Sequence, residues 1–165
     1  GFTSKIYQVL IKNLDDAKIR HNFNNSFILH GGGWKNLERL KISNQKYKSM
    51  IKKKLKINQV YNYYGLVEQT GSVFFECSVE NHFHCSNFSE ILIRDKNLNT
   101  LKKNRKGIVQ LCSILPTSYP GHNILTEDIG IVKGEDDCSC GKKGKYFKIL
   151  GRVKSAELRG CSDVI

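Results

Sequence analysis

The sequence predicts an α/β fold in which a partial parallel sheet precedes a small, β-rich, barrel-like subdomain. Helix-like and strand-like segments alternate over residues 1–69, and short strand-like segments dominate residues 70–165. Alternation of helix and strand is typical of parallel sheets, whereas short, closely spaced strands suit a small barrel or a curved sheet. We therefore expect two domains, 1–69 and 70–165, with the change of character at their junction.

The first region contains two helix–strand pairs. Apolar residues recur at helical spacing over residues 3–20, and the run NSFILHGGGW predicts a short buried strand that ends in a glycine loop. Residues 36–56 predict a second helix with a lysine-rich outer face, and INQVYNYYG predicts a second strand that ends at Gly65. In parallel sheets ligands bind beyond the carboxyl ends of the strands, where both glycine turns are expected.

The second region contains five strand-like segments that are separated by Gly, Asn, Asp or Pro. The segments are SVFFECSV, SEILIRD, GIVQLCSIL, DIGIVKG and YFKILGRV. Cys112 lies in the third of these apolar runs, and we expect it in the core because a free cysteine packs as a small hydrophobe.

The chain is strongly basic, with 27 Lys and Arg against 15 Asp and Glu and a formal charge of +12. Such an excess is compatible with nucleic acid, an anionic membrane or phosphorylated ligands, but solvated lysines are the simpler explanation. The aromatic residues do not alternate with basic ones on one strand face, which argues against a nucleic-acid stacking platform. No run approaches the ~20 apolar residues of a membrane span. Because a signal-peptide pattern is also absent from residues 1–20, we expect a cytoplasmic protein with reduced thiols.

Four polar residues next to strand ends have side chains suited to a nucleotide. The face of Tyr64 can stack on a purine, and the carboxylate of Glu68 can hold Mg²⁺ beside phosphates. Asp128 can accept hydrogen bonds from ribose hydroxyls, and Arg152 can bind anionic oxygens. Each alone is compatible with a structural role. Together and in this order they indicate a nucleotide site.

The chain resembles the adenylate-forming ligases, and most closely the acyl-protein synthetases of bacterial bioluminescence operons. The matching stretches are HGGGWK, YGLVEQTGS, SYPGHNILTEDIG, CSCGKKGKYFKILGR and AELRGCSD. The resemblance implies part of an adenylate-forming large domain that uses ATP and Mg²⁺ to activate a carboxylic acid, such as a fatty acid, as acyl-AMP. It also implies transfer of the acyl group to a thiol and a partner such as an acyl-reductase.

The resemblance also assigns roles to individual residues. Glu68 would coordinate Mg²⁺ and Lys154 would occupy the hinge position, while Val67 stands where most members have a phosphate-binding threonine. The residues assigned to the nucleotide are Gly32, Gly33, Tyr64, Gly65, Asp128 and Arg152. The family's phosphate loop and its C-terminal catalytic lysine have no counterpart in these 165 residues. We therefore expect a C-terminal part of a longer enzyme, which is inactive in isolation.

Four cysteine and histidine residues predict a structural zinc site. A tetrahedral zinc site needs four nitrogen or sulfur ligands, and pairs from two hairpins are a common source of them. The expected ligands are Cys77, His84, Cys138 and Cys140. His82 and Cys85 are alternates for the fourth position. Reduced thiols without metal remain the other interpretation, and a disulfide across a single intervening residue would be strained.

Cys161 is the expected acyl acceptor. In acyl-protein synthetases the acyl group passes from acyl-AMP to a cysteine near the C-terminus, and RGCSD matches that neighbourhood. Arg159 is expected to lower the pKa of this thiol, which would make it a better nucleophile. An inert surface thiol is the alternative.

Two other classes of function remain open from the sequence alone. One is a zinc-stabilised basic module that binds nucleic acid, and the other is a non-catalytic interaction domain that retains the fold. A salt-dependent binding signal with DNA or RNA that is larger than any signal with ATP would favour the nucleic-acid-binding module.

Overall fold

The computed structural model describes residues 1–11, 13, 23, 25–34, 39–117 and 119–154. These residues fall into two compact units, the first of which extends to Tyr63 and the second of which begins at Tyr64. The domain boundary expected between residues 69 and 70 stays a prediction. No helix in the described ranges is long and apolar enough to span a membrane.

The first unit contains the expected parallel strand pair. Helix α1 (Thr3–Lys5) leads into a π-helical segment (Ile6–Leu10), and strand β1 (Phe27–His30), helix α2 (Asn44–Leu55) and strand β2 (Gln59–Gly65) follow. The last two residues of β2, Tyr64 and Gly65, belong to the second unit. Strand β1 runs parallel to β2, with Phe27 opposite Gln59 and His30 opposite Asn62. The mixed α/β class predicted from the sequence is thereby confirmed.

Helix α2 is stabilised by a capping hydrogen bond at its first turn and by the burial of one apolar face. The hydroxyl of Ser43 accepts a hydrogen bond from the backbone N–H of Lys46 at 3.2 Å, which caps the first turn. Tyr47, Ile51 and Leu55 recur every fourth residue and are almost completely buried. The predicted lysine-rich outer face lies on the other side and supplies positive charge to the last turn, where the helix dipole favours it.

The second unit is an antiparallel sheet with one short accessory strand. Its strands are β3 (Val73–Phe75), β4 (Phe83–His84), β5 (Ser89–Arg94), β6 (Gly107–Ser113), β7 (Asn123–Glu135) and β8 (Lys145–Arg152). The five-stranded sheet has the order β4-β8-β7-β6-β5. Strands β4 and β5 are its two edges, so the described part of this region is an open sheet and not a closed barrel.

The core of this sheet follows the alternation of side chains along β5 and β6. Ile91 and Ile93 on β5 and Val109 and Leu111 on β6 are fully buried, as is Phe147 on β8. Cys112 lies next to Leu111 on β6 and is therefore on the opposite face, where it is only partly buried. The expectation that Cys112 is a core residue is wrong because the side chains on its face of the sheet are only partly buried.

Candidate nucleotide and metal sites

The pairing of β7 with β8 places an aspartate opposite an arginine. Asp128 is the register partner of Arg152, and Arg152 Nε lies 3.7 Å from Asp128 Oδ1. The Asp128 side chain is 16% exposed, whereas the Arg152 side chain is 38% exposed. Arg152 also forms an ion pair with Glu127, the residue before Asp128. Two carboxylates therefore share one guanidinium at this end of the sheet.

Tyr64 fixes the other oxygen of the Asp128 carboxylate. Its hydroxyl donates a hydrogen bond to Asp128 Oδ2 at 2.6 Å, and its ring lies about 6 Å from the rings of Phe74, Phe83 and Phe147. Burial raises the pKa of Tyr64, and the negative charge of Asp128 raises it further. The phenol therefore stays protonated and donates. Contact of Tyr64 with adenine stays a prediction.

Replacing Tyr64 with phenylalanine should cost about 1–2 kcal/mol of unfolding free energy, because a hydrogen bond to a charged acceptor is lost while the ring packing is kept. The measurement is urea unfolding of the full-length protein. Tyr119→Phe is the matched control, since Tyr119 is 62% exposed and its loss should change stability by less than about 0.5 kcal/mol. Equal effects of the two substitutions would contradict the assigned hydrogen bond.

Glu68 is exposed on a 3₁₀ turn (Val67–Gln69) that is held in place by the buried side chain of its next residue. The next residue, Gln69, is fully buried, and its Nε2 donates to the carbonyl oxygens of Leu111 and Gly121 at 3.3 and 2.9 Å. Gly121 packs so tightly that a Cβ there would clash with the carbonyl oxygen of Glu68. The backbone of Glu68 is thus positioned by Gln69 and Gly121, neither of which the sequence singled out.

A small cleft of about 180 Å³ lies beside Glu68. Its lining is mixed apolar and polar, and consists of Val67, Glu68, Thr70, Leu115, Pro116, Thr117 and Tyr119. The exposed carboxylate at its wall is of the type that coordinates Mg²⁺.

The other residues assigned to the nucleotide have defined backbone positions. Gly32 and Gly33 follow β1 with φ values of 77° and 63°, which glycine adopts without steric cost. Gly65 ends β2, and Lys154 is exposed in a turn just after β8. Their proposed roles stay predictions. Cys161 lies outside the described residues.

The structure brings the four predicted zinc ligands together. Their ligand atoms all lie within 4.8 Å of one another, and the group comprises Cys77, His84, Cys138 and Cys140. Cys77 follows β3, His84 lies on β4, and the other two lie in the turn between β7 and β8. Gly141 has a φ of 81°, and its N–H donates to the carbonyl of Cys138 at 3.0 Å, which closes this turn. Neither alternate ligand, His82 or Cys85, belongs to the group.

The chemistry within this group suits a soft divalent cation. Cys140 Sγ is 3.4 Å from His84 Nε2, and the backbone N–H of Glu80 donates to Cys77 Sγ at 3.4 Å. Burial opposes ionisation of Cys77, but backbone N–H groups outweigh it and lower its pKa. Burial raises the pKa of Cys138 to about 11. Three thiols and one imidazole form a Cys₃His set of the kind that zinc binds tetrahedrally.

Tyr146 supports the histidine of this group. Its ring stacks on His84 with centroids 5.6 Å apart and planes at 24°. Its hydroxyl donates to Asp137 Oδ1 at 2.8 Å, and Asp137 in turn pairs with Lys103 at 2.9 Å. These contacts hold the Tyr146 ring against one face of the imidazole. No spacing rule in the sequence marks Tyr146 for this role.

The fold is similar to part of several solved ligase structures. A structure of 2-hydroxyisobutyryl-CoA ligase, in an open conformation with 2-HIB-AMP and CoA, matches 93% of this chain at 18% identity with a TM-score of 0.71. A long-chain-fatty-acid-CoA ligase of Archaeoglobus fulgidus matches 92% at 11% identity with a TM-score of 0.61. A luciferase-like enzyme of the mealworm Zophobas morio matches 92% at 17% identity with a TM-score of 0.58. At these identities the likeness concerns the fold alone.

The chain is short compared with these proteins. It covers 36%, 33% and 38% of the three structures, respectively. A comparison with curated proteins found no match.

A protein-family model described as "Acyl-protein synthetase, LuxE" matches residues 1–165, which is the whole chain. The chain therefore belongs to the acyl-protein synthetase family.

Proposed function

We propose that the protein containing this chain joins a carboxylic acid to ATP, forming acyl-AMP and pyrophosphate, and then passes the acyl group to a thiol. The observation that carries the proposal is the cluster of Tyr64, Asp128 and Arg152. The cluster combines a carboxylate held in one orientation with a guanidinium beside it. Membership of the acyl-protein synthetase family supports the same chemistry.

Each residue of the proposed site has a chemical task in the first step. The Asp128 carboxylate accepts hydrogen bonds from the ribose hydroxyls, and Arg152 contacts an anionic oxygen. Glu68 provides an oxygen ligand for Mg²⁺, which neutralises charge on the phosphates. The carboxylate oxygen of the substrate attacks the α-phosphorus, and pyrophosphate leaves with the electron pair of the broken P–O bond.

A fatty acid is the proposed substrate. One of the similar structures is a long-chain-fatty-acid-CoA ligase, and the family is that of acyl-protein synthetases. In the second step the Cys161 thiolate attacks the acyl carbon of acyl-AMP, and AMP leaves. An acyl-reductase is the proposed partner that then takes up the acyl group, and Lys154 is the proposed hinge between the two steps.

Exchange of labelled pyrophosphate into ATP, dependent on a carboxylic acid, tests the first step in the full-length protein. Asp128→Ala should weaken ATP binding about 10- to 100-fold, because hydrogen bonds to a charged group are lost. Glu68→Ala should slow exchange by about 100-fold, since metal-borne charge stabilisation is worth several kcal/mol. Glu90→Ala is the control, because Glu90 pairs with Lys145 elsewhere on the same sheet.

Two results would reject this assignment. Unchanged exchange in both the Asp128 and the Glu68 variants would remove these residues from the site. Absence of exchange in the unaltered protein, with short, long and aromatic acids alike, would favour the non-catalytic interaction domain instead.

We also propose that Cys77, His84, Cys138 and Cys140 bind one structural Zn²⁺ ion. Their ligand atoms are close enough to share a single ion, and Cys77, His84 and Cys138 are buried. A closed set of four protein ligands leaves no position for a substrate, so the role of the ion is to hold three chain segments together.

A further inference from the structure

We propose that Glu127 competes with the phosphates of a bound nucleotide for Arg152, and so determines how strongly the site favours ligands of high negative charge. This inference rests on the proposed function, because that function places a nucleotide beside Arg152. Glu127 has no role in the two-step chemistry described above.

The backbone holds Glu127 and Arg152 together. The N–H of Val153, directly after Arg152, donates to the carbonyl of Glu127 at 2.9 Å. Gly151, directly before Arg152, has a φ of 149°, a conformation that side-chain-bearing residues rarely adopt. The register of β7 against β8 also shifts at Ile129 and Gly130. The pairing of β7 with β8 therefore keeps the backbones of Glu127 and Arg152 next to each other, within reach of a side-chain ion pair.

Of the two carboxylates at Arg152, Glu127 is the one that an incoming anion can displace. Its side chain is 57% exposed, whereas that of Asp128 is 16% exposed and is held by Tyr64. Because the ion pair between Glu127 and Arg152 is so exposed, it favours the paired over the separated side chains by no more than about fivefold. An incoming anion can therefore break it. A phosphate oxygen can then replace the Glu127 carboxylate, while Asp128 stays in position for the ribose.

The competition has a measurable signature that depends on ligand charge. Adenosine brings no anion to Arg152, so Glu127 should not affect its binding. AMP and ATP bring increasing negative charge, so both should bind more tightly when Glu127 is neutral, and ATP should gain more. Screening by salt should abolish the difference, because the Debye length falls to about 3 Å at 1 M ionic strength.

The experiment measures dissociation constants of adenosine, AMP and ATP for the full-length protein without added magnesium. Glu127→Gln should leave adenosine unchanged and tighten ATP about two- to fivefold at low salt. Glu90→Gln is the matched control, since Glu90 is 46% exposed and pairs with Lys145 at 3.0 Å on the same sheet. This control removes the same charge but should leave ATP binding unchanged.

A double-mutant cycle separates competition from simple repulsion. In an Arg152→Gln background, Glu127→Gln should change ATP binding by less than about 1.5-fold, because there is no guanidinium left to compete for. A full gain in that background, or no gain in the Glu127→Gln protein, would overturn the inference and leave the proposed function intact. If the unaltered protein bound neither adenosine nor ATP, the proposed function would fail, and this inference with it.

Discussion

Removal of zinc should strongly destabilise the second unit of this chain. The four proposed ligands come from three separate segments: the turn after β3, strand β4 and the turn between β7 and β8. Without an ion, buried thiols and an imidazole crowd one another, and nothing covalent joins those segments. Because a structural zinc site contributes directly to folding free energy, a strong chelator should lower the melting temperature by about 10 °C or more.

Metal analysis of carefully prepared, folded protein should find about one Zn²⁺ per chain. Cys138→Ser should lower the zinc content and the melting temperature together. Cys112→Ser is the matched control, because this partly exposed thiol on β6 lies outside the four-residue group. A zinc content well below half an equivalent, in protein that stays folded, would reject the site and leave reduced thiols as the better interpretation.

Zinc affinity should also rise with pH. A thiol must lose its proton to become a ligand, and burial raises the pKa of Cys138 to about 11. Below that pH the proton competes with zinc. Each thiol that is still protonated in the free protein should therefore contribute about a tenfold gain in affinity per pH unit.

The four proposed zinc ligands could be predicted from the sequence, because cysteine and histidine have few structural uses in such pairs. Two pairs of suitable residues, expected on two distant hairpins, indicate the four residues that the structure brings together. The role of Tyr146 could not be predicted from the sequence, because its stacking on His84 depends on the pairing of β4 with β8. The sequence does not predict strand β4, since its two residues are too few to show an alternation of apolar and polar side chains.

The proposed nucleotide site contains contacts that the sequence does not predict. Motif context selected Tyr64, Asp128 and Arg152, and long-range strand pairing brings Asp128 opposite Arg152. The hydrogen bond from Tyr64 to Asp128 spans 64 positions of the chain, and no local pattern encodes it. The anchoring of Glu68 by Gln69 and the pairing of Glu127 with Arg152 are likewise products of tertiary packing.

Cys161 should carry the acyl group as a thioester between the two proposed steps. Full-length protein given ATP, Mg²⁺ and a labelled fatty acid should become labelled through a bond that neutral hydroxylamine cleaves. Cys161→Ser should remove most of this label, by about tenfold or more, and should leave acyl-AMP formation intact because the two steps use different groups. If Arg159 lowers the pKa of the Cys161 thiol, an alkylating reagent should also modify this thiol rapidly near neutral pH.

The other cysteines provide the controls. Cys112→Ser should keep the full label. Cys85 is a poor second candidate, because burial raises the pKa of its thiol to about 12, which leaves little thiolate at neutral pH. Hydroxylamine-sensitive label that persists in the Cys161→Ser protein would place the acyl group on another residue. If no cysteine is labelled while acyl-AMP still forms, the enzyme delivers its acyl group directly to a separate acceptor, and only the adenylating half of the proposed function stands.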